Sequence, residues 1–434
     1  MRIVLIAYYY PPDPAVGGLR AAKVARAMVS RGHAVDVIAA TLPGPAGERA
    51  DTDGDGIRVH RVARSFDLRN LASRVGRRLR PGRRTEGEPT VALTPAAPGA
   101  WNRPAQQPAW KRHVMSALWL PDDRQGWIRP AAGRAIECVE RGAQLVYTTS
   151  PPASVQIAGW LVKRRTGARW AMEFRDPWTD NPWKPAFVRS AWSDAAERWL
   201  ERRCLRAADH VIAVTESTGR RLMSRMKTDH VIIARNGIDP YDRTSSGRTG
   251  PPAIVYVGNL YDERDPRPFF RAIGRLRQRR LLPEGTRIDF VGDCQFYEGM
   301  AVDGLADECG IADWLTCVGR RPHAECMDRM AAADVLLLLA QGQPEQVPNK
   351  LYEYFAVGRP IVAYTDQESE TMAMVQLAKG HYTVTGEDAA QEDAAILGAL
   401  RAARDTAQPQ QDEGVLAQWS TERQMALLLD ELGL

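Results

Sequence analysis

The sequence predicts an α/β protein made of two Rossmann-like, doubly wound domains that face a cleft. Three observations carry this prediction. A chain of 434 residues is long enough for two domains of ordinary size, each with its own core. Short apolar runs of strand length alternate with helical patterns in two separate series, as parallel sheets flanked by helices require. Between the series lies the turn-forming stretch Asn236-Gly237-Ile238-Asp239-Pro240, followed by a Ser/Gly/Arg-rich segment from Thr244 to Gly250. The expected division is a first domain over residues 1–240, a second over 241–414 and an amphipathic C-terminal helix over 415–434.

The first series opens with an apolar strand over residues 2–7. Gly17-Gly18 is read as part of the following loop, and a helix is expected from about Leu19 to Ser30. Gly32-His33 closes that helix, and Ala34 to Ala40 completes a β-α-β unit. Further strands are expected from Leu145 to Thr149, Arg169 to Phe174 and His210 to Val214. Helical patterns run from Pro152 to Thr166, Trp192 to Ala207 and Ser217 to Met226. In the second series the strands begin at Ala253, Arg287, Leu315, Asp334 and Pro360, each followed by a helical pattern.

Composition narrows the class. Hydrophobic content of 44% and 26% charged residues are those of a globular protein, and no apolar run approaches the length of a membrane-spanning helix. The N-terminal apolar run leads straight into a Gly-containing loop without a small-residue cleavage site, so it reads as a strand and not a signal peptide. Six scattered cysteines with no Cys-x2-Cys pair suit free thiols in a reducing cytoplasm and give no support to a metal cluster. Residues 1–236 hold 39 Lys+Arg against 22 Asp+Glu, and residues 237–434 hold 19 against 31. A basic first half facing an anionic partner and an acidic second half follow from that split.

Residues 58–84 hold ten arginines and one acid, Asp67, with Leu68, Leu71, Val75 and Leu79 at helical spacing. This is the pattern of a basic amphipathic helix on an anionic membrane, with a solvated basic face as the alternative. Nucleic acid is not expected as a partner, because no aromatic series or recognised binding module accompanies the arginines. Residues 81–110 carry six prolines and read as an irregular insertion.

The most informative stretch runs from Pro344 to Ala363. Glu345 and Glu353 stand eight positions apart around Asn349-Lys350, and Pro348 presets the backbone for a helix start. Lys350 near that start can meet an anion already favoured by free backbone N–H groups, as a diphosphate would be. The two carboxylates can accept hydrogen bonds from hydroxyls at the two ends of an elongated ligand. Taken alone, the spacing also fits an ordinary amphipathic helix with solvated glutamates.

The segment Pro-Asn-Lys-Leu-Tyr-Glu-Tyr-Phe-Ala-Val-Gly-Arg-Pro around Glu353 resembles the Glu-x7-Glu motif of retaining glycosyltransferases of family 4-like, GT-B type. The N-terminal Tyr-Pro-Pro, Gly-Gly and Arg-Gly-His elements are similar to the same family, and Arg175-Asp176-Pro177-Trp178 to a polysaccharide-type branch of it. The resemblance implies a nucleotide-diphosphate-sugar donor bound by Gly17, Gly18, Gly258, Asn259, Arg264, Gly319, Arg320, Glu345, Asn349, Lys350 and Glu353. It implies catalytic roles for Asp176, Arg264, Lys350 and Glu345, and acceptor contacts from Arg175, Asp176 and Trp178. The family often has Arg where Asn259 stands and Lys near Arg264, so this chain departs from the commonest pattern there. A C-terminal helix crossing back to the first domain is also implied. No metal and no cofactor beyond the donor co-substrate are expected. Gly17-Gly18 is not the Gly-x-Gly-x-x-Gly dinucleotide fingerprint, and no acidic ribose partner stands at the spacing a nicotinamide enzyme needs. The expected acceptor is a glycan or lipid-linked species at the inner face of the plasma membrane. A soluble small-molecule acceptor, a nucleotide-sugar epimerase and a non-catalytic membrane- or nucleic-acid-binding module are the competing readings.

Overall fold

A computed structural model describes residues 1–13, 15–42, 51–52, 56–65, 116–117, 119–181, 190–226, 230–241, 251–261, 263–404 and 411–434. These residues form two compact units. Unit 1 contains the described residues up to Arg235 together with Met425–Leu434, and unit 2 contains Asn236–Gln424.

In unit 1 the strands are β1 (Arg2–Ile6), β2 (Ala34–Ala40), β3 (Asp51–Thr52), β4 (Arg58–Val62), β5 (Leu145–Ser150), β6 (Arg169–Phe174), β7 (His210–Ala213) and β8 (Ile232–Ile233). They lie in the order β3-β4-β2-β1-β5-β6-β7-β8, parallel throughout except for β3 against β4. Helices are α1 (Val16–Ser30), α2 (Ile128–Glu140), α3 (Ser154–Thr166), α4 (Ala191–Ala207) and α5 (Glu216–Met226). Strand β1 is apolar at every interior position because both faces are covered. Ile3 and Leu5 pack with Ala21, Met28 and Val35 on one side, and Val4 and Ile6 with Trp127, Ala131 and Val146 on the other.

Unit 2 holds β9 (Ala253–Val257), β10 (Arg287–Val291), β11 (Phe296–Tyr297), β12 (Met300–Ala301), β13 (Leu315–Gly319), β14 (Val335–Ala340), β15 (Ile361–Thr365) and β16 (Tyr382–Val384). The main sheet runs β13-β10-β9-β14-β15-β16, all parallel, and β11-β12 is a small separate hairpin. Its helices are α6 (Arg267–Gln278), α7 (Val302–Glu308), α8 (His323–Ala331), α9 (Asn349–Val357), α10 (Glu370–Ala378), α11 (Ala389–Arg404) and α12 (Glu413–Gln418). Chain order therefore reverses between β9 and β14. In such open sheets that reversal opens a crevice at the carboxyl ends of the strands. No helix among the described residues is long and apolar enough to cross a membrane.

Helix α2 and strands β3, β4, β8 and β16 add to the expected elements, and two expected elements differ. Gly17 and Gly18 lie in the first turn of α1 and not in a loop, with the Gly18 N–H on the Ala15 carbonyl at 2.9 Å. Neither glycine is needed for a left-handed backbone; each is needed for close approach. A Cβ on Gly18 would sit 3.3 Å from the Tyr10 backbone, and one on Gly17 would sit 2.9 Å from Nη1 of Arg175. The C-terminal segment is two helices, α12 and α13 (Thr421–Glu431), because the backbone between them pairs elsewhere. Ile238 N–H donates to the Trp419 carbonyl (2.8 Å) and Thr421 N–H to the Ile238 carbonyl (2.9 Å). A Cβ on Gly237 would fall 2.2 Å from Thr421 Cα, so the turn there demands glycine. Met425, Leu428, Leu429 and Leu432 then join the core of unit 1 beside Ile3 and Leu5.

Candidate functional site

In unit 2 the crevice is built by the loops that leave β9, β10, β13 and β14. Strands β9 and β14 pair from Val335↔Ile254 to Leu337↔Tyr256 and then part. The buried Tyr354 of α9 fills the parting: its hydroxyl accepts from Val257 N–H and donates to the Leu337 carbonyl, both at 3.0 Å. That one side chain anchors the body of α9 against the switch point. Gly358, at φ 78°, ends the helix in the left-handed conformation that glycine tolerates best.

The loop from Gln341 to Pro348 carries Glu345 and is braced on two sides. Asp366 accepts from the N–H groups of Gly342 and Gln343, both at 2.9 Å, and Glu370 N–H donates to the Pro344 carbonyl at 2.9 Å. Thr371 Oγ1 donates to the Gln346 carbonyl at 3.1 Å. The loop after β9 meets it directly. Gln341 Nε2 donates to the Asp265 carbonyl at 3.0 Å, and a Cβ on Gly342 would lie 2.4 Å from Cβ of Glu263.

Arg264 sits in that β9 loop with its guanidinium 4.4 Å from the Tyr261 ring centroid, and among the described residues it makes no ion pair. The neighbouring Asp265 is taken instead by Arg267, whose Nε lies 2.8 Å from Oδ1. At the head of α9, Lys350 Nζ donates to Glu353 Oε2 at 2.5 Å and Asn349 Nδ2 to Glu353 Oε1 at 3.3 Å. His323 Nε2 lies 3.5 Å from the same Oε1. Asn349, Lys350 and Glu353 thus form one polar cluster on the first two turns of the helix.

Asn259, Gly258, Gly319 and Arg320 shape the far side of the crevice. Asn259 Oδ1 accepts from Asp293 N–H at 3.0 Å, so this side chain ties the β9 and β10 loops. Gly292 (φ 130°) runs so close to the Gly258 carbonyl that a Cβ would lie 1.9 Å from its oxygen. Gly292 N–H also donates to the Gly319 carbonyl at 3.0 Å. Arg320 grips Asp293 through Nε, 2.7 Å from Oδ1, and through Nη2, and this pairing holds the Asp293 carboxyl below its ordinary pKa.

Unit 1 has its own reversal between β1 and β5, and Arg175 stands beside it. Its guanidinium donates to the carbonyls of Gly17, Ser150 (3.2 Å) and Pro151 (2.5 Å), clamping the first turn of α1 to the loop after β5. Burial lowers its pKa, with Glu173 and Asp176 opposing. Asp176 is half-buried at the carboxyl end of β6. Trp178 is only 7% exposed and packs in the core, and its Nε1 has no hydrogen-bond partner among the described residues.

Beneath this clamp lies a pair that local patterns did not reveal. Glu173 is fully buried, and its Oε1 accepts from Arg20 Nε (3.1 Å), Arg20 Nη2 (2.7 Å) and Tyr147 Oη (2.7 Å), while Oε2 accepts from Thr149 at 2.5 Å. Burial alone would raise the Glu173 pKa, but Arg20, Thr149 and Tyr147 hold it below the ordinary value. Arg20 donates as well to the carbonyls of Ala234 (2.8 Å) and Arg235 (2.6 Å). One signal was present in the sequence: a glutamate inside the strand Arg-Trp-Ala-Met-Glu-Phe must find a buried cation.

Two sets of residues that could suggest a metal are otherwise employed. Asp122 Oδ2 accepts from Ser154 N–H at 2.7 Å, and Oδ1 from Ser154 Oγ at 2.5 Å and Arg124 N–H at 2.8 Å, so it caps the start of α3. Asp36, His60 and Cys138 cluster in the core of unit 1. Arg2 Nε (2.8 Å) and His60 Nε2 (2.8 Å) already bind the Asp36 carboxylate, and Arg134 lies 2.9 Å from the other ring nitrogen. The arginine-rich run begins as strand β4, where Arg61 donates to the carbonyls of Tyr10 (3.2 Å) and Ala40 (3.4 Å). The expected amphipathic helix from Leu68 and the insertion at 81–110 lie outside the described residues.

The glycosyl transferase 4-like domain matches residues 17–237, and the glycosyl transferases group 1 domain matches residues 251–401. The chain belongs to the glycosyl transferase 4-like family. No curated protein matches this glycosyltransferase by sequence. Among solved structures, HepE of Anabaena in complex with UDP and glucose aligns over 100% of this chain and 99% of its own, with 13% identity and a TM-score of 0.61. A sucrose-phosphate synthase from Thermosynechococcus elongatus aligns over 100% and 99%, with 16% identity and a TM-score of 0.57. A UDP-forming α,α-trehalose-phosphate synthase from Burkholderia xenovorans aligns over 100% and 98%, with 12% identity and a TM-score of 0.62. At such identities the likeness is one of fold, and the fold is that of the GT-B glycosyltransferases. The glycosyltransferase carries its Glu-x7-Glu residues on the braced β14 loop and on α9, with the Asn259 departure on the opposite rim.

Proposed function

We propose that this glycosyltransferase moves a hexose from a nucleoside-diphosphate sugar to an acceptor hydroxyl with retention at the anomeric carbon, in the assembly of a cell-surface polysaccharide or lipid-linked glycan. The observation that carries the reading is the meeting, at the switch point of unit 2, of a loop bearing Arg264 without an ion-pair partner among the described residues and a loop bearing Glu345 that leads into Asn349 and Lys350. Charge grows on the leaving diphosphate as the anomeric C–O bond breaks, and two fixed cations there lower the barrier. Lys350 exchanges Glu353 for the diphosphate when the donor binds. Glu353 is then free to accept from ribose hydroxyls, and Glu345 accepts from hydroxyls of the sugar. The backbone around Gly319-Arg320 meets the base. Asp176, on unit 1, orients the acceptor hydroxyl. With charge supplied by side chains, transfer proceeds in the presence of a chelator. The structures of HepE with UDP and glucose and of a UDP-forming synthase make uridine the first base to test.

The test begins with thermal unfolding against a panel of nucleoside diphosphates and their sugars, since a ligand of the folded state raises the melting temperature by mass action. A selective rise with one nucleotide is expected. Lys350→Ala and Glu345→Ala should then each lower transfer on the order of 100-fold or more while melting near the wild type without ligand. Wild-type turnover in either variant would remove the assigned roles, and product formed without any acceptor would favour an epimerase.

A further inference from the structure

Helix α4 has an outward face of unusual make-up. Its exposed residues are Ala191, Trp192, Ala195, Arg198, Trp199, Arg202, Arg203 and Arg206: four arginines, two tryptophans and no carboxylate. Trp199 is 52% and Trp192 40% exposed, while Glu197 and Glu201 of the same helix are 2% and 1% exposed. An ordinary surface helix does the reverse, turning its glutamates to water and its tryptophans inward. The glutamates are held inside by partners of their own, Glu201 accepting from Thr179 Oγ1 (3.0 Å) and Arg225. Helix α3 extends the face with Arg164 and Arg165, and an open cavity of about 820 Å³ between the two helices is lined by Trp160, Arg164, Trp199, Arg203, Arg206 and Ala207. None of these six arginines makes an ion pair among the described residues.

We propose that the α3–α4 face of unit 1 is a docking surface for an anionic lipid bilayer, with the two tryptophans of α4 at headgroup depth and the arginines on lipid phosphates. Tryptophan is favoured at the membrane interface because an apolar ring and a polar N–H are both accommodated there. Arginines add attraction to anionic lipid, roughly fivefold in partitioning for each one near the surface. The other occupants fit less well. A single-stranded nucleic acid would stack its bases on the indole faces. Arg164 already lies 5.0 Å from the Trp160 ring and Arg203 4.9 Å from the Trp199 ring. A second copy of the chain joined through the same face would set arginines against arginines. The cavity lies at the C-terminal ends of α3 and α4, which lead into the amino ends of β6 and β7, whereas Asp176 follows the carboxyl end of β6. This face holds no residue of unit 2 and none of the residues assigned to the donor.

The experiment is co-sedimentation of the full chain with vesicles of phosphatidylcholine alone and with a third phosphatidylglycerol. Wild type should pellet with the anionic vesicles only. Arg198, Arg202, Arg203 and Arg206 all changed to Gln should weaken that binding about 100-fold or more. The same charge loss placed at Arg129, Arg271, Arg401 and Arg404 should change it by no more than a few-fold. Bromine on the lipid acyl chains should quench wild-type emission, and less so when Trp192 and Trp199 are both Phe. Unchanged vesicle binding by the four-arginine variant would overturn the proposal. So would tight binding of single-stranded RNA with none to vesicles, or a wild-type dimer that Trp199→Ala dissolves.

Discussion

Removing Arg20 should cost unit 1 more than any surface arginine, through the charge it leaves behind. Its side chain is 4% exposed and that of Glu173 fully buried, so Arg20→Ala strands a carboxylate with only Tyr147 and Thr149 as donors. It also removes the donor from the Ala234 and Arg235 carbonyls. Breaking one side of a buried pair costs about 3–5 kcal/mol. For a unit of this size that is a melting temperature lower by about 10 °C, at about 2–4 °C for each kcal/mol. Arg20→Met with Glu173→Gln should recover part of the loss, because no buried charge is left unpaired. The pH dependence has a definite sign. In the wild type the Glu173 pKa is depressed, so the pair's contribution is present above the unfolded glutamate pKa and is lost as pH falls through the lower folded value. In Arg20→Ala the same carboxyl is raised by burial, so the gap between the two proteins should narrow as pH falls from neutral through that raised value. Calorimetry at pH 7 and pH 4.5 measures both effects. A single variant melting within 2 °C (roughly 1 kcal/mol) of wild type, with a double variant no more stable than the single, would refute the reasoning.

Two further outcomes test other parts of the chain. Gly292→Ala must place a Cβ 1.9 Å from the Gly258 oxygen at a φ of 130°, so it should cost about 3 kcal/mol or more and weaken nucleoside-diphosphate binding, read by melting and by titration. Asp36 is raised by burial but held down to about 2 by His60 and Arg2, so its contribution of about 2 kcal/mol is present above pH 4 and lost as pH falls through 2. Asp36→Asn should therefore be less stable at pH 7, by a margin that shrinks in acid melts.

Much of this protein could be read without coordinates, and the reason is that the signals are local. The six residues from Arg169 to Phe174 read as a strand and form β6, and the strands expected near Leu145, Ala253 and Arg287 lie where the periodicity put them. Pro348 and Gly358 bracket α9 by their backbone preferences alone. What failed to show in the sequence was of two kinds. The start of α1 was missed because its glycines serve contacts with Tyr10 and with Arg175, the latter 158 positions away. The break between α12 and α13 was missed because Ile238 claims the backbone there, far from it in sequence.

The sequence by itself determined most of the central strands and several of the helices beside them, and that the second half carries a Glu-x7-Glu loop and helix, since propensity, periodicity and turn chemistry act over a few residues. Only the tertiary structure decided what each charge does. Lys350 rests on Glu353, Asp122 caps a helix, Asn259 ties two loops and Glu173 holds Arg20 across 153 positions. A carboxylate or guanidinium takes whichever partner the packed backbone brings within about 3 Å, and that choice is made by the fold as a whole.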